Sequence, residues 1–140
     1  MLIQVFQLNN IREGENMQFY YCNESQNIYI HITSNDQLTN AFNQSMVALN
    51  PKPSDDDIHM INVKKVGNFV TISIGKENHP MIDIHYISMI AIETNKGCQL
   101  KHLKTNDVPM ADFLIEDDEE LISIYTYCTT HFLYRRKLRQ

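Results

Sequence analysis

This chain lacks any apolar run that approaches the roughly 20 residues needed by a membrane-spanning helix. The opening residues 1–6 (MLIQVF) also lack the basic start and the small-residue cleavage site of a secretory signal. These two absences argue against an integral membrane protein and against a secreted one. The sequence therefore predicts a soluble, cytoplasmic protein, with the nucleus as the alternative location.

Glycine, proline and cysteine are scarce. Only 4 glycines and 4 prolines occur beside 43% hydrophobic and 21% charged residues, which excludes a fibrous or disordered chain. The three cysteines, Cys22, Cys98 and Cys128, are odd in number and widely spaced, which favours reduced thiols over a disulfide framework. At 140 residues the chain has the length of one domain, so we predict a single domain over residues 1–140.

Positive charge is also in short supply. The net charge of −5 argues against a general nucleic-acid-binding protein, because phosphate contacts need a basic face. A basic cluster at residues 135–139 could touch a membrane surface, but a short cluster is weak support for that interaction.

Several segments alternate apolar and polar residues with the period of two that is typical of β-strands. Residues 69–75 place Val70, Ile72 and Ile74 on one face, and Gly67 marks a turn before them. Residues 81–94 are apolar on both faces, which predicts a strand that is either covered on both sides or bent across two sheets. Further strands are predicted at residues 17–22, 28–33, 58–65 and 98–103.

Two segments have the three- and four-residue apolar spacing of amphipathic helices. The first covers residues 37–50, and Ser34 followed by Gln37 resembles a capping box at its start. The second covers residues 121–136, with acids before it and bases at its end, as the helix dipole favours. Its predicted apolar stripe consists of Leu121, Ile124, Tyr125, Cys128 and Phe132.

The order of these elements resembles a phosphotyrosine-binding (PTB) domain and the third lobe of a FERM domain. The resemblance covers about residues 34–136 and lies in the helix predicted at 37–50 and in residue-type patterns at 58–63, 69–75, 79–80, 84–90 and 121–136. It implies an α+β domain of the PH-like superfold. Such a domain has an antiparallel sheet, or a partly open barrel, with one internal helix and a C-terminal capping helix.

The resemblance also implies a non-catalytic adaptor or scaffold module rather than an enzyme. An extended segment of another protein would add a strand at an open sheet edge and pack against the C-terminal helix. No cofactor, metal or catalytic residue is assigned. A self-assembling structural protein, viral or part of a large complex, is the alternative, with the exposed edge forming a homo-oligomer. The predicted peptide-binding residues are Ile84, Tyr86 and Ser88 on the strand, and Ile124, Cys128 and Phe132 on the helix.

One group of residues suggests a metal site as a further alternative. Cys98 with His102, and Cys128 with His131, could together offer two thiolates and two imidazoles to zinc. Their spacing does not match the usual zinc knuckles, so this reading is disfavoured. The histidines at positions 59 and 79 are interpreted as isolated structural residues.

Overall fold

The computed structural model of this chain describes residues 17–31 and 46–138. Two compact units emerge, Met1–Asn50 and Pro51–Gln140, and each is described by itself. A single domain over residues 1–140 stays a prediction.

The first unit contains a three-stranded antiparallel sheet with the strand order β2-β1-β3. The strands predicted at residues 17–22 and 28–33 correspond to β1 and β2, which pair across a turn at residues 23–25. Phe19, in the central strand, is 2% exposed and is the main buried side chain of this sheet. The strands are β1 (Gln18–Cys22), β2 (Ile28–His31) and β3 (Met46–Leu49).

The second unit consists of two β-sheets. A five-stranded sheet has the order β4-β11-β10-β7-β8, and a three-stranded sheet has the order β5-β6-β9. Every neighbouring pair is antiparallel except β4 and β11, which run parallel. The strands are β4 (Lys52–Pro53), β5 (Ile61–Val66), β6 (Phe69–Ile74), β7 (Ile87–Thr94), β8 (Gly97–His102), β9 (Met110–Leu114), β10 (Leu121–Cys128) and β11 (Phe132–Lys137).

The core of the second unit is a single apolar cluster to which both sheets contribute. Val70, Ile72 and Ile74 of β6 are fully buried, as their alternation predicts. Strand β7 covers only the later part of the strand predicted at residues 81–94 and is buried on both faces along almost its whole length, which agrees with the first of the two predicted arrangements. The two sheets therefore pack as a sandwich, and Cys128 and Tyr134 are members of the cluster.

The predicted C-terminal helix is wrong. Residues 121–136 form the hairpin of β10 and β11. Strand β10 is central, with β7 on one side and β11 on the other, so its residues are buried on both faces. Apolar residues that occupy both faces of a strand can also satisfy a three- and four-residue spacing, and this ambiguity misled the interpretation.

The helix predicted at residues 37–50 can be compared with the structure only in its last part, and there it is wrong. Residues 37–45 lie outside the described residues, and Met46–Leu49 is strand β3. The described parts of the chain contain β-strands and no helix, so the prediction of an α+β, PH-like fold is wrong. No helix able to cross a membrane occurs within residues 17–31 and 46–138.

Candidate metal centre

The hairpin of β10 and β11 brings a thiol and an imidazole together. Cys128 ends β10, and His131 is the last turn residue before β11 begins at Phe132. The Sγ atom of Cys128 lies 3.6 Å from Nδ1 of His131. Cys128 is completely buried in the core cluster. Its position is fixed because β10 is paired with β11 on one side and with β7 on the other.

The loop before β5 contributes His59. Its backbone N–H donates a 2.7 Å hydrogen bond to Oδ1 of Asp56, and its ring Nδ1 lies 3.0 Å from the same oxygen. The hydroxyl of Ser54 donates to the His59 carbonyl at 2.9 Å and accepts from the N–H of Ile61 at 2.7 Å. The carboxylate therefore holds Nδ1, and Nε2 is left to act as a ligand.

The turn after β6 contributes His79. Gly75 adopts a φ of +97°, and a Cβ atom at this position would collide with the carbonyl oxygen of Glu77. The N–H of His79 donates a 3.0 Å hydrogen bond to the carbonyl of Ile74, and its ring Nδ1 lies 2.7 Å from the carbonyl of Pro80. Since that carbonyl can only accept, Nδ1 carries the proton and Nε2 keeps its lone pair.

The loop before β7 contributes His85, and the hairpin that carries the cysteine holds this loop in place. The N–H of Thr129 donates to the carbonyl of Tyr86 at 3.0 Å, and the N–H of Tyr86 donates to the Thr129 hydroxyl at 3.1 Å. The hydroxyl of Thr130 donates to the carbonyl of Ile84 at 3.1 Å. Three hydrogen bonds thus fix the backbone on either side of His85.

The four imidazoles form a closed ring. The centroid distances are 5.0 Å from His59 to His79, 4.6 Å from His79 to His85, 5.1 Å from His85 to His131, and 4.9 Å from His131 to His59. His59, His79, His85 and Cys128 each offer one possible ligand atom, and these four atoms all lie within 4.8 Å of one another. We call the four histidines and Cys128 the His4Cys cluster.

This arrangement fits a metal ion. The Nε2 atoms of His59, His79 and His85 are buried without a hydrogen-bond partner, and an unpaired buried polar atom costs about 1–3 kcal/mol. A metal ion bound between them would satisfy all three. Imidazole and thiolate are ligands of transition metals such as iron, copper and zinc, whereas magnesium and calcium prefer oxygen.

The protonation of the histidines favours the same role. Burial and, to a smaller extent, the neighbouring histidines lower the pKa of His79 to about 4, although the hydrogen bond to the Pro80 carbonyl opposes the shift. Burial also lowers the pKa of His85 and of His59, although the Asp56 carboxylate opposes the shift at His59. These three imidazoles are therefore neutral near pH 7 and can bind a metal without first losing a proton.

A pocket of about 410 Å³ lies beside His79. Two segments form it: residues 57–58, which directly precede His59, and residues 76–80, which include His79. Lys76 is the one cation among its lining residues, and its Nζ lies 4.0 Å from Oδ2 of Asp57. The other lining residues are Ile58, Glu77, Asn78, His79 and Pro80.

Comparison with known proteins identifies what the second unit is similar to. The family model described as desulfoferrodoxin matches residues 51–137, which include all of the His4Cys cluster. A desulfoferrodoxin homolog of Archaeoglobus fulgidus is 29% identical over 123 residues, covering 86% of this chain and 97% of that protein. A desulfoferrodoxin of Desulfarculus baarsii is 27% identical over 119 residues, covering 84% of this chain and 93% of that protein.

Solved structures show the same fold. The superoxide reductase from Treponema pallidum superposes with a TM-score of 0.71 at 23% identity, covering 89% of this chain and all of that one. The superoxide reductase (1Fe-SOR) from Giardia intestinalis gives a TM-score of 0.51 at 24% identity, covering 61% of this chain and all of that one. These matches overturn the predicted resemblance to PTB and FERM domains.

The residues predicted to bind a peptide do not line a groove at an open edge. Strand β7, which contains Ser88, is paired on both sides by β10 and β8, so it has no free edge for an added strand. Ile84 lies in a turn and is 83% exposed, while Tyr86 is half-buried. The supposed helix wall is strand: Ile124 and Cys128 are buried in β10, and Phe132 begins β11 at 49% exposure.

The zinc alternative combined one correct pair with one incorrect pair. Cys128 and His131 belong to the cluster, whereas Cys98 and His102 are exposed on β8 and are not among its members. The sequence reasoning passed over the three loop histidines at positions 59, 79 and 85. The available signal was their common setting, since each lies in a short segment just before or just after a strand.

Proposed function

This chain belongs to the desulfoferrodoxin family, and from that membership and the His4Cys cluster we propose that it is an iron-dependent superoxide reductase. The family assignment overturns the prediction of a non-catalytic adaptor that captures a peptide, together with its self-assembling alternative. The observation that carries the proposal is the convergence of four imidazoles and one thiol on one buried point. Relatives of similar fold are described as superoxide reductases, one of them as a one-iron protein.

The proposed reaction adds one electron and two protons to superoxide and yields hydrogen peroxide. Bound iron would supply the electron by passing from the ferrous to the ferric state, and imidazole and thiolate are ligands that suit it. The residues that would hold it are His59, His79, His85 and His131 through nitrogen and Cys128 through sulfur. As ligands, a thiolate and four imidazoles would give a donor set of one negative charge, which would stabilise the more oxidised, more positive state of the metal.

The surrounding residues keep these donors in place. Asp56 and the Pro80 carbonyl fix Nδ1 of His59 and His79, so that Nε2 of each ring faces the cluster. Thr129 and Thr130 tie the His85 loop to the hairpin that carries Cys128. Because every donor is held before a metal arrives, little ordering cost opposes binding.

The pocket beside His79 is the proposed approach for superoxide. It opens to solvent, from which the two protons can be drawn, and Lys76 adds an ammonium group to its lining. A cation at the mouth of a site raises the encounter rate of an anion, and salt weakens the effect. Asp57 and Glu77 partly offset that charge.

The test is to load the protein with ferrous iron under anaerobic conditions and to generate superoxide by pulse radiolysis. We expect one iron per chain, and one hydrogen peroxide formed for each superoxide with no dioxygen released. A dismutase would instead release dioxygen and give half as much peroxide.

His85→Ala and His102→Ala form a matched pair for this experiment, since both remove an imidazole but only His85 belongs to the cluster. We expect His85→Ala to lose most of the superoxide consumption and His102→Ala to keep it. Equal activity in the two variants, or iron binding without superoxide consumption in the wild type, would refute the proposal.

A further inference from the structure

Lys52 contacts the His4Cys cluster although it is not one of its donors. It belongs to β4, which pairs in parallel with β11 so that Lys52 lies opposite Tyr134. Just beyond this pair, the N–H of Ser54 donates a 3.1 Å hydrogen bond to the carbonyl of Arg135 and holds the short strand in place. The backbone of Lys52 is therefore fixed beside the hairpin that carries His131.

The first contact of the Lys52 ammonium is with the backbone of His131. It donates a 2.9 Å hydrogen bond to the His131 carbonyl. The next residue, Phe132, has a φ of +75°, in the left-handed region that a residue with a Cβ atom disfavours. This φ helps to set the orientation of the peptide unit between His131 and Phe132, and the hydrogen bond from Lys52 stabilises that orientation. Lys52 thus supports the backbone that places the His131 ring.

The second contact is with the aromatic ring of Tyr134. The Lys52 ammonium lies 5.5 Å from the ring centroid, within the range of a cation–π interaction. The Tyr134 ring is buried and stacks on the His59 ring, with centroids 4.2 Å apart and planes inclined by 6°. One lysine therefore supports two of the four imidazoles, His131 through its carbonyl and His59 through Tyr134.

The charge of Lys52 acts on a bound metal as well as on the ligands. The ammonium contacts a ring that is itself stacked on His59, so it lies close to the cluster. A nearby cation disfavours the more positive, ferric state of iron and so raises its reduction potential. Cys128, as a thiolate ligand, and the Asp56 carboxylate, which contacts His59, act in the opposite direction.

We propose that Lys52 is a positioning residue of the His4Cys cluster, which orients His131 and His59 for the metal and whose charge favours the ferrous state. The inference rests on the proposed function, since it concerns the iron that the cluster would hold. Ferrous iron is the state that reduces superoxide. Lys52 therefore enlarges the fraction of the protein that is ready to react.

The test compares iron-loaded wild type with Lys52→Met, which keeps an unbranched side chain at this exposed position and removes the ammonium. Lys52→Arg restores both a cation and a donor. Lys65→Met is the control, because Lys65 is exposed and lies roughly 13 Å along β5 from Ile61, where the loop of His59 ends. A redox titration at low ionic strength gives the reduction potential, and unfolding by denaturant checks that each variant keeps its fold.

We expect Lys52→Met to shift the ferrous-to-ferric ratio about tenfold towards ferric, a fall of about 59 mV for a one-electron couple. Lys52→Arg should keep most of the wild-type potential, and Lys65→Met should change it much less. Lys52→Met should also bind zinc, which has no redox chemistry, about tenfold less tightly in competition with a chelator. An unchanged potential or an unchanged zinc affinity in Lys52→Met, or equal changes in Lys65→Met, would overturn the inference.

Superoxide consumption separates this inference from the proposed function. If the wild type consumes superoxide and Lys52→Met has the wild-type potential, only the role of Lys52 is wrong. If the wild type binds iron without consuming superoxide, the proposed function is refuted, and the potentials of the variants still decide the role of Lys52. A wild type that binds no iron would refute both.

Discussion

The hairpin and the loops supply the donors of the His4Cys cluster in different ways. Cys128 and His131 come from one hairpin, three residues apart, and the register of β10 between two partner strands sets their position. His59, His79 and His85 come from three loops, and each loop needs its own contacts to reach the cluster. The comparison suggests that the hairpin is the rigid part of the site and that the loops are where it is most easily disturbed.

The loop that carries His79 should be the most sensitive to a single substitution. Gly75→Ala forces a side chain into a φ of +97° and against the backbone of Glu77, so we expect a loss of about 4 kcal/mol in the free energy of unfolding. Gly67→Ala is the matched control, because Gly67 also has a positive φ of +58° but open space around it. We expect about 1 kcal/mol there.

Chemical denaturation of the metal-free variants measures both values. Equal destabilisation by the two substitutions would show that the close approach at Gly75 does not matter. The loop that carries His79 would then be no more sensitive than the turn between β5 and β6.

Acid should act on the loops through their buried histidines. The pKa of His79 is lowered from 6.5 to about 4, so the unfolded chain takes up a proton that the folded chain refuses as pH falls between these values. Stability of the metal-free protein contributed by a neutral His79 is therefore complete above pH 6.5 and is lost towards pH 4, by roughly 3 kcal/mol. His59 and His85 shift in the same direction.

Denaturation curves between pH 7 and pH 4 check this. His79→Gln should flatten the dependence relative to the wild type, whereas His102→Gln, at an exposed position, should leave it unchanged. An identical slope in all three proteins would contradict the account.

The contact between Asp56 and His59 should affect metal binding more than folding. Asp56→Asn keeps the shape of the side chain but weakens the hold on Nδ1, and loss of such a contact lowers metal affinity about 10- to 100-fold. Asp57→Asn is the control, because the neighbouring Asp57 contacts Lys76 and not a cluster histidine. Competition with a chelator gives both affinities, and similar values for the two variants would argue against an orienting role for Asp56.

The clamp between the hairpin and the His85 loop should give the smallest effect. Thr129→Val removes the acceptor for the N–H of Tyr86 and should cost about 1 kcal/mol of stability, with faster release of iron. Thr71→Val removes an exposed bond to Asp112 on another strand and should leave iron release unchanged. If iron leaves both variants at the wild-type rate, the hairpin does not hold the loop.

The same difference between hairpin and loops explains how much could be predicted from the sequence. Strands β1, β2, β6 and β8 followed from period-two patterns and turn residues, because those signals are local. Strand β10 was misread as a helix, since a central strand buried on both faces loses its alternation. The Cys128 and His131 pair could be suspected because the two residues are close in the chain.

The loop histidines could not be found in this way. His59, His79 and His85 approach Cys128 only through the pairing of strands that lie far apart in sequence. The predicted partner of that pair, Cys98 with His102, matched in residue type but lies on the exposed strand β8. Because the order of strands in the sheet was unknown, residue type alone led to Cys98 and His102 as the second pair, which is wrong.

The most direct test of the central claim is X-ray absorption at the iron edge of the iron-loaded protein, with Cys128→Ser and Cys98→Ser as a matched pair. The account predicts nitrogen donors and one sulfur donor in the wild type, loss of the sulfur in Cys128→Ser, and its retention in Cys98→Ser. Iron without a sulfur donor in the wild type, or a sulfur donor that survives in Cys128→Ser, would contradict the His4Cys centre.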